Sequence, residues 1–434
     1  MNKEIFKKLL YIVLPLIILI LIILFLSKNI NQNKNITNGL HTIVGLDTTD
    51  DEKTLGYTDA RKIIQSPNGN FYAAYRKKNQ SSKGEYMIYV TKSVDQGKSW
   101  QICNNGEAIS KNVGFFDQRV PSITSDDQNN IHVVWYGRDS IKIGKNQREI
   151  KYSSSSSDCK KWSSWRNIAP IDGYDGQDLW QEHPVILFGN NNLYVVWEGK
   201  DSKNKKNQQI KFIRSNDGGK AWTLVKNIYT TPANTQSRPS LIIRKNGTLL
   251  VYAYTAFNIP KGFQQIQISV SNDNGENWSE WRNISDTNDD ARHVSAVSDN
   301  SGNIYFAWRQ IQNNKAQIFW TTLREEEISS AKPIYQKGNS NQFFPSLGLI
   351  GDKIILAYTQ TDNFDGLPKE EIHLPGTSYV LEKDDKDKWK EIDKITGISL
   401  VLAPLNTADN INGVFLQVED DHYKINFFQK SLDR

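Results

Sequence analysis

Residues 215–222 read SNDGGKAW, and the same spacing returns as SVDQGKSW at 93–100 and as SNDNGENW at 271–278. All three segments fit the pattern S-x-D-x-G-x-x-W. In such a turn the Ser and Asp side chains can hydrogen-bond the backbone of the turn itself, Gly supplies the permissive dihedral angles, and Trp packs between neighbouring sheets. Degenerate copies stand at 155–162 (SSSDCKKW) and at 382–389 (EKDDKDKW). One turn is therefore repeated along the chain, as in a repeat fold.

A second phrase recurs with these turns, namely a short apolar run that leads to an aromatic residue. Its six clear copies contain Tyr75, Trp135, Trp197, Tyr254, Trp308 and Tyr358, spaced by 60, 62, 57, 54 and 50 residues. A weaker seventh copy, GVFLQV, surrounds Phe415. Each copy follows a strand-like segment and a turn rich in Gly, Asn and Asp. This period predicts an all-β propeller of four-stranded antiparallel blades, seven in number, with six as the alternative.

The turns and their spacing resemble the Asp-box, or BNR, repeats of the sialidase-like β-propeller superfamily, and the resemblance covers the chain after residue 55. It implies radially arranged blades, with each Asp box between the third and fourth strands on the face away from the ligand site. The residues of the box are therefore expected to be structural. Because unrelated enzymes, lectin-like proteins and receptors share this motif, it indicates the fold and says little about the function.

The N-terminus carries a separate apolar segment. Residues 9–26 (LLYIVLPLIILILIILFL) form an uncharged run that can cross a bilayer, and the lysines within residues 1–8 favour a cytoplasmic N-terminus. No small-residue cleavage site follows, so we predict an uncleaved transmembrane signal anchor. Residues 27–38 are predicted to be a flexible tether, and 39–434 the propeller. We therefore expect a single-pass membrane protein whose propeller is extracellular or periplasmic.

Composition narrows the range of partners. The formal net charge is +5, and the Lys-rich patches are short and mixed with acids or amides, which argues against nucleic-acid binding. Cys103 and Cys159 are the only cysteines; a single disulfide between them is allowed but not indicated, and we expect two ordinary small apolar side chains. No motif for a cofactor or a metal stands out, so neither is predicted. The expected partners are the membrane, through the N-terminal helix, and a glycan or protein ligand.

Candidate ligand residues lie at the starts of the predicted innermost strands, where propellers usually bind ligands. Arg61, Arg119 and Arg292, which we expect to share a register, each follow an acid by two residues: Asp59, Asp117 and Asp290. Arg238 lies one position later, which reverses the face in a regular strand, and His183 is a further polar candidate. Guanidiniums that converge on the channel would form an anion site. The alternative is a structural salt bridge between blades that repeats with the scaffold.

The resemblance to sialidases adds candidate roles. In that family three arginines hold the substrate carboxylate, which implies ligand roles for the four arginines above, and a Tyr nucleophile is polarised by a Glu. Glu182 and Tyr379 are the corresponding candidates, and Glu85 is the only acid in the loop that carries an Asp in the family. The proline of the family's opening motif is also absent. These departures favour a propeller that binds glycan or protein ligands; an exo-sialidase-like glycoside hydrolase is the alternative, and enzymatic activity is left open.

Overall fold

The computed structural model shows a ring of seven β-sheets. It describes residues 41–432 except 57, 59, 79–85, 112–116, 139–147, 171–178, 231–234, 256–262, 286, 335–339, 362–375, 407–408 and 421. Within these residues every regular element is a β-strand apart from one 3-10 helix, η1 (Asn104–Gly106). The described part of the chain contains no helix long and apolar enough to cross a membrane. The predicted anchor at 9–26 lies outside that part.

The strands of the first four blades follow an initial strand, β1 (Thr42–Thr49). Blade 1 contains β2 (Ile63–Gln65), β3 (Phe71–Lys78), β4 (Tyr86–Ser93) and β5 (Gln101–Ile102). Blade 2 contains β6 (Gln118–Ser125), β7 (Ile131–Gly137), β8 (Glu149–Ser155) and β9 (Arg166–Asn167). Blade 3 contains β10 (Gln181–Gly189), β11 (Asn192–Gly199), β12 (Gln209–Ser215) and β13 (Lys226–Asn227). Blade 4 contains β14 (Gln236–Ile243), β15 (Leu249–Thr255), β16 (Gln265–Ser271) and β17 (Arg282–Asn283).

The last three blades carry small additions to this plan. Blade 5 contains β18 (Ala291–Ser298), β19 (Ile304–Gln312), β20 (Lys315–Arg324) and β21 (Glu327–Ile328), with β22 (Lys332–Pro333) also paired to β20. Blade 6 contains β23 (Asn341–Ile350), β24 (Lys353–Thr361), β25 (Thr377–Lys383) and β26 (Trp389–Thr396). Blade 7 contains β27 (Ile398–Leu402), β29 (Asn410–Val418) and β30 (Tyr423–Ser431), while β28 (Leu405–Asn406) pairs in parallel with β23.

The two ends of the propeller meet in blade 7. Its strand order is β27, β29, β30 and β1, so the N-terminal strand is the fourth strand of the C-terminal blade. The antiparallel pairing runs from Thr42 opposite Gln429 to Thr49 opposite Tyr423. This exchange closes the ring with backbone hydrogen bonds and brings the count to seven four-stranded antiparallel sheets. The prediction of a seven-bladed all-β propeller is confirmed, and the six-bladed alternative is wrong.

The turn of blade 3 shows how the repeated pattern folds. The Ser215 hydroxyl donates to the Asp217 carboxylate at 2.7 Å and accepts from the backbone N–H of Gly219 at 2.9 Å. Gly219 has a φ of +85°, in the left-handed region that favours glycine. Trp222 packs edge-on against Tyr152 of blade 2, with ring centroids 5.3 Å apart. Ser, Asp, Gly and Trp thus have the local roles that the pattern predicts, and the Trp fills the seam between two blades.

Cys103 and Cys159 form a disulfide across the seam between blades 1 and 2, with Cα atoms 5.2 Å apart. The expectation of two unpaired thiols is wrong. Cys159 replaces the glycine of the repeated turn and keeps a left-handed φ of +63°. The corresponding glycine of blade 3, Gly219, lies against the ring of Tyr152 in blade 2. At the seam between blades 1 and 2, the residue equivalent to Tyr152 is the smaller Val90, since each lies three residues before the Ser that begins its turn. The disulfide therefore fills the space that the Tyr152 ring fills at the next seam. The two cysteines are 56 residues apart, about one repeat, so both lie at the seam between neighbouring blades.

A β-bulge recurs near the start of the innermost strand in blades 2 to 7. The bulge residue has a φ between +46° and +54° in each of the six strands: Val120, His183, Arg238, His293, Phe344 and Ser399. Such values are uncommon for residues other than glycine. A bulge inserts one extra residue on one strand and re-aims the side chains around it. The simple alternation of faces therefore does not hold at this point, and a shift of one position does not turn Arg238 away from the site.

Candidate functional site

The bulges bring two positions of each repeat together at one end of the channel. In blades 2, 3 and 5 the residue before the bulge lies opposite the residue that directly follows the Trp of the second strand: Arg119 opposite Tyr136, Glu182 opposite Glu198, and Arg292 opposite Arg309. Arg61 is different, because the carbonyl of Lys62 accepts a hydrogen bond from Ala74 and so aligns Arg61 with Pro121 of blade 2. The expectation that Arg61 shares the register of Arg119 and Arg292 is wrong.

A buried acid and a histidine form the centre of the candidate site in blade 3. Glu198 is 4% exposed, and its carboxylate lies 2.6 Å from Nδ1 of His183. The second carboxylate oxygen accepts the backbone N–H of Arg238 at 2.7 Å. Burial raises the pKa of Glu198 to about 7, although the charge and the backbone N–H of Arg238 lower it. This carboxyl can therefore gain or lose a proton near neutral pH, directly beside an imidazole.

Tyr136 of blade 2 lies next to this pair and is surrounded by arginines. Its ring meets the His183 ring edge-on, with centroids 5.2 Å apart. Burial raises the pKa of the Tyr136 phenol, whereas four guanidiniums lower it, those of Arg119, Arg238, Arg148 and Arg76. Arg148 also lies over the Tyr136 ring, 5.9 Å from its centroid. Four cations from blades 1, 2 and 4 thus converge on one phenol, which is the arrangement that an anionic ligand would require.

Carboxylates hold three of these arginines in place. Arg119 pairs with Asp117 at 2.5 Å, and Arg148 pairs with Glu182. Arg76 makes a buried two-point contact with a further acid, Asp51, with N–O distances of 2.5 and 2.9 Å. A guanidinium has five N–H donors, so one carboxylate leaves donors for a ligand. Burial lowers the pKa of Arg119, but Asp117 and Tyr136 raise it by more, and the group remains charged.

The Asp-x-Arg pattern is an ion pair within a blade. Arg119 and Asp117 belong to blade 2, and Arg292 pairs with Asp290 of its own blade 5 at 2.7 Å. Asp59, the third acid of the pattern, lies outside the described residues. In blade 5 the same carboxylate of Asp290 lies 3.5 Å from Arg309. The pattern therefore repeats inside blades rather than between them, and by itself it does not mark a ligand site.

Among the remaining candidates, Tyr379 and Arg61 do not join this cluster. Tyr379 stacks on Tyr358 in blade 6, with centroids 5.5 Å apart, while Glu182 pairs with Arg148 at the border of blades 2 and 3. The geometry thus separates the pair that would correspond to the sialidase nucleophile and its Glu. Glu85 lies outside the described residues. Arg61 of blade 1 reaches across the ring and donates to the backbone carbonyl of Leu241 in blade 4 at 3.2 Å.

Three residues of the cluster could hold a metal ion. Ligand atoms of Glu182, His183 and Glu198 lie within 4.8 Å of one another. Carboxylate and imidazole ligands suit several divalent metals. However, Glu182 already binds Arg148, and the neighbouring guanidiniums repel a divalent cation. The electrostatics therefore favour an anion and a mobile proton at this place.

Tyr136, Glu198 and Arg148 were not among the residues predicted from the sequence. A signal for two of them was present, because both directly follow the aromatic residue of the repeated phrase, in VVWYG and VVWEG. At that position other blades carry Arg76 and Arg309. The repeated phrase is otherwise apolar, so polar residues directly after its aromatic in several copies would have indicated side chains that lie at the channel end. Arg148 directly precedes a third strand and carried no such signal.

Comparison with known proteins identifies the fold. No family model and no curated protein matches the sequence. Among solved structures, the chain is similar to an ulvan lyase of polysaccharide lyase family PL25, with a TM-score of 0.60 and 14% identity over 88% of this chain and 95% of that one. The same enzyme bound to -[GlcA(1-4)Rha3S]- gives a TM-score of 0.56 and 13% identity over 87% of this chain and 95% of that one.

A sialidase is also among the structural neighbours. The Trypanosoma rangeli sialidase in complex with sialic acid has a TM-score of 0.50 and 13% identity, over 90% of this chain and 58% of that one. This chain therefore corresponds to little more than half of the sialidase. At such identities the likenesses show a shared propeller fold, in a neighbourhood that contains both sialidases and polysaccharide lyases.

Proposed function

We propose that this protein is an Asp-box, sialidase-like propeller that binds acidic glycans at the channel end formed by blades 1 to 4. The observation that carries the proposal is the positive charge around Tyr136: Arg148 lies over its ring at 5.9 Å, and Arg119, Arg238 and Arg76 also lower the pKa of its phenol. A carboxylate of the ligand would pair with the guanidinium of Arg119, whose side chain is 34% exposed.

The structural neighbours support this choice of ligand class. The lyase complex contains GlcA, a sugar acid, and the sialidase complex contains sialic acid. Both sugars carry a carboxylate on a pyranose ring. A shared fold does not imply a shared ligand, so the arginines of this chain are the main support for an acidic ligand.

Binding of matched oligosaccharides to the full-length protein tests the proposal. Calorimetric titration would compare an oligouronate and a sialyl-oligosaccharide with neutral oligosaccharides of the same length. We expect saturable binding of an acidic ligand alone, and Arg119→Gln should weaken it about tenfold, the value of one charged hydrogen-bonded contact. Arg292→Gln is the matched control, because it removes the same Asp-x-Arg pair from blade 5. Equal binding of neutral and acidic ligands would refute the proposal.

Catalysis is a second candidate function, and the contact between Glu198 and His183 favours it. An imidazole held by a carboxyl with a pKa of about 7 is suited to move a proton near neutral pH. Arginines on a uronate carboxylate would make the proton on the adjacent ring carbon more acidic, which is the requirement for eliminative cleavage. Hydrolysis of a sialoside, the alternative by resemblance, would need Tyr379 near Glu182, and these two residues lie in different blades.

One assay separates these outcomes. An oligouronate substrate is followed by the ultraviolet absorbance of an unsaturated product, and a sialoside by release of free sialic acid. Elimination that is lost in His183→Ala and reduced in Glu198→Gln would assign a lyase-type activity. Sialic acid release that survives His183→Ala and is lost in Tyr379→Phe would assign the hydrolase. Tight binding with neither product would leave the protein as a glycan-binding module.

We also propose that residues 9–26 anchor the propeller outside the cytoplasm. The disulfide between Cys103 and Cys159 supports this location, since disulfides persist in oxidising compartments. Protease added to intact cells should digest the propeller and spare a protected N-terminal fragment. Release of the whole chain into the soluble fraction after lysis would contradict the anchor.

A further inference from the structure

Arg61 occupies the channel itself, away from the acidic-glycan site. It belongs to blade 1, yet its Nη2 reaches the carbonyl of Leu241 on β14, on the opposite side of the ring, at 3.2 Å. The side chain lines a small space of about 30 Å³ on one side, beside Thr58 and Ser240. On the other side it lines a larger cavity. The guanidinium therefore stands between two spaces along the channel axis.

The charge of this arginine has no described counter-ion. Among residues that the structure describes, no carboxylate lies within ion-pair distance of Arg61, and its Nε is buried without a hydrogen-bond partner. Burial lowers the pKa of Arg61, while the Tyr252 phenol raises it slightly. A guanidinium keeps its proton even so. A partly buried cation without a counter-ion is costly, and an anion that entered the larger cavity would reduce that cost.

The larger cavity has a volume of about 220 Å³ and lies at the far end of the inner strands. The glycan site uses the start of β10 at Glu182, whereas the cavity uses its end at Gly189 and the exposed turn residue Asn190. The walls are mainly apolar and come from three blades: Leu187, Phe188, Ile242, Ile243 and Val297. For comparison, an apolar cavity of about 150 Å³ is enough to bind benzene. A ring or a short alkyl chain therefore fits between these walls.

We propose that this cavity, which we call the channel pocket, binds a small amphipathic monocarboxylate. Its carboxylate pairs with the Arg61 guanidinium, and its apolar body lies against Phe188, Ile242 and Ile243. One cation selects one anionic group, and a guanidinium accepts a carboxylate in a two-point contact. A sugar acid is disfavoured here, because its hydroxyls would be buried against apolar walls without partners. The channel pocket is thus a second site, with a different ligand class from the glycan site.

Benzoate is a suitable probe, with benzyl alcohol as its uncharged counterpart. Calorimetric titration of the full-length protein should show one saturable site for benzoate and binding at least about tenfold weaker for benzyl alcohol, since a charged contact is worth more than one factor of ten. Benzoate should also raise the unfolding temperature as it saturates. Acetate should bind about tenfold more weakly than benzoate, because it lacks the apolar body.

Two variants separate the charge from the space. Arg61→Leu should abolish benzoate binding, and Ile243→Trp should abolish it by filling the mouth while Arg61 remains. Arg292→Gln, at the other end of the channel, should bind benzoate as the unchanged protein does. Undiminished binding in Arg61→Leu, absence of saturable benzoate binding, or equal affinity for acetate would each overturn the proposal. Acidic-glycan binding should persist in the presence of saturating benzoate, because the two sites lie at opposite ends of the inner strands, and its loss would show that benzoate binds the glycan site and would overturn the proposal.

Discussion

Blades 2 and 5 carry the same ion pair in different surroundings. Arg119 and Arg292 occupy one register, each pairs with the acid two residues earlier, and their side chains are 34% and 38% exposed. Arg119 lies beside Tyr136 and the His183–Glu198 pair of the next blade. Arg292 shares its acid with Arg309 instead. The motif is therefore part of the scaffold, and a candidate site arises only where the neighbouring blade supplies complementary groups.

The histidines of the two regions differ in the same way. His183 and His293 are both bulge residues with nearly equal φ values of +52° and +53°. His183 contacts the Glu198 carboxylate at 2.6 Å. His293 lies near the rings of Tyr254 and Phe344, with centroids 5.9 and 6.5 Å away. The same backbone position thus holds a histidine that contacts a carboxyl group in blade 3 and a histidine that packs among aromatic rings in blade 5.

The largest expected effect comes from the buried ion pair between Asp51 and Arg76, beside the candidate site. Asp51→Asn should lower the free energy of unfolding by about 3 to 5 kcal/mol, because it leaves the Arg76 guanidinium buried without its partner. The side chains of Asp51 and Arg76 are 4% and 7% exposed, so solvent cannot replace the lost contact. Urea unfolding followed by tryptophan fluorescence measures the change. A loss below about 1 kcal/mol, the range of exposed pairs, would show that this arginine is not buried as described.

The next effect concerns the pH dependence of stability. The ordinary pKa of Glu198 is 4.5, and burial raises it to about 7 in the folded protein. Below pH 4.5 the carboxyl is protonated in both states, and its contribution to stability is complete. Between pH 4.5 and 7 the unfolded chain releases the proton while the folded protein retains it, so the free energy of unfolding falls, by about 3 kcal/mol in all.

Glu198→Gln removes the titrating carboxyl and should make the unfolding curve flatter between pH 4.5 and 7. The matched control is Arg309→Gln, at the position of blade 5 equivalent to Glu198. This variant should leave the slope of the free energy of unfolding against pH unchanged. Urea unfolding at several pH values measures both variants. An unchanged slope in Glu198→Gln would show that the carboxyl is already ionised in the folded protein.

The third prediction compares the two histidines. His183→Asn should weaken binding of an acidic oligosaccharide about tenfold, because it breaks the contact that holds Glu198 and removes a ring beside Tyr136. His293→Asn keeps the bulge and should change the affinity less than about twofold, within the effect of a group that does not touch the ligand. Titration calorimetry decides between them, and equal losses would mean that the ligand lies over both regions.

The fold was predictable from the sequence because the blades repeat the same short turn and the same aromatic strand. The turn at 215–222 and the aromatic of each second strand are fixed by contacts inside one repeat, so their period gives the blades. The closing strand β1 was not predicted. Seven of its eight residues are exposed or half-buried, and it pairs with β30, more than three hundred residues later in the chain. The disulfide was missed for a related reason, since it depends on Val90 being small where another blade has Tyr152.

The site was predicted only in part, because bulges and neighbouring blades decide which side chains meet. Arg119, Glu182, His183 and Arg238 were named, and the structure brings them together. Arg61 was placed in the wrong register, because its spacing from Asp59 matches that of Arg119 from Asp117 while the backbone pairing aligns Arg61 with Pro121. Glu198 acquires its chemistry from burial and from the next blade, and neither can be read from the segment VVWEG alone.

The smallest expected effect is on the stability of the two exposed pairs. Arg119→Gln and Arg292→Gln should each lower the free energy of unfolding by less than about 1 kcal/mol, because both side chains are partly solvated and salt screens them. The difference between the two regions should appear in ligand binding and hardly at all in unfolding. Urea unfolding at low and high salt, beside titration with an acidic oligosaccharide, measures both. If Arg119→Gln lost several kcal/mol of stability, its effect on binding would be structural, and the distinction between blades 2 and 5 would fail.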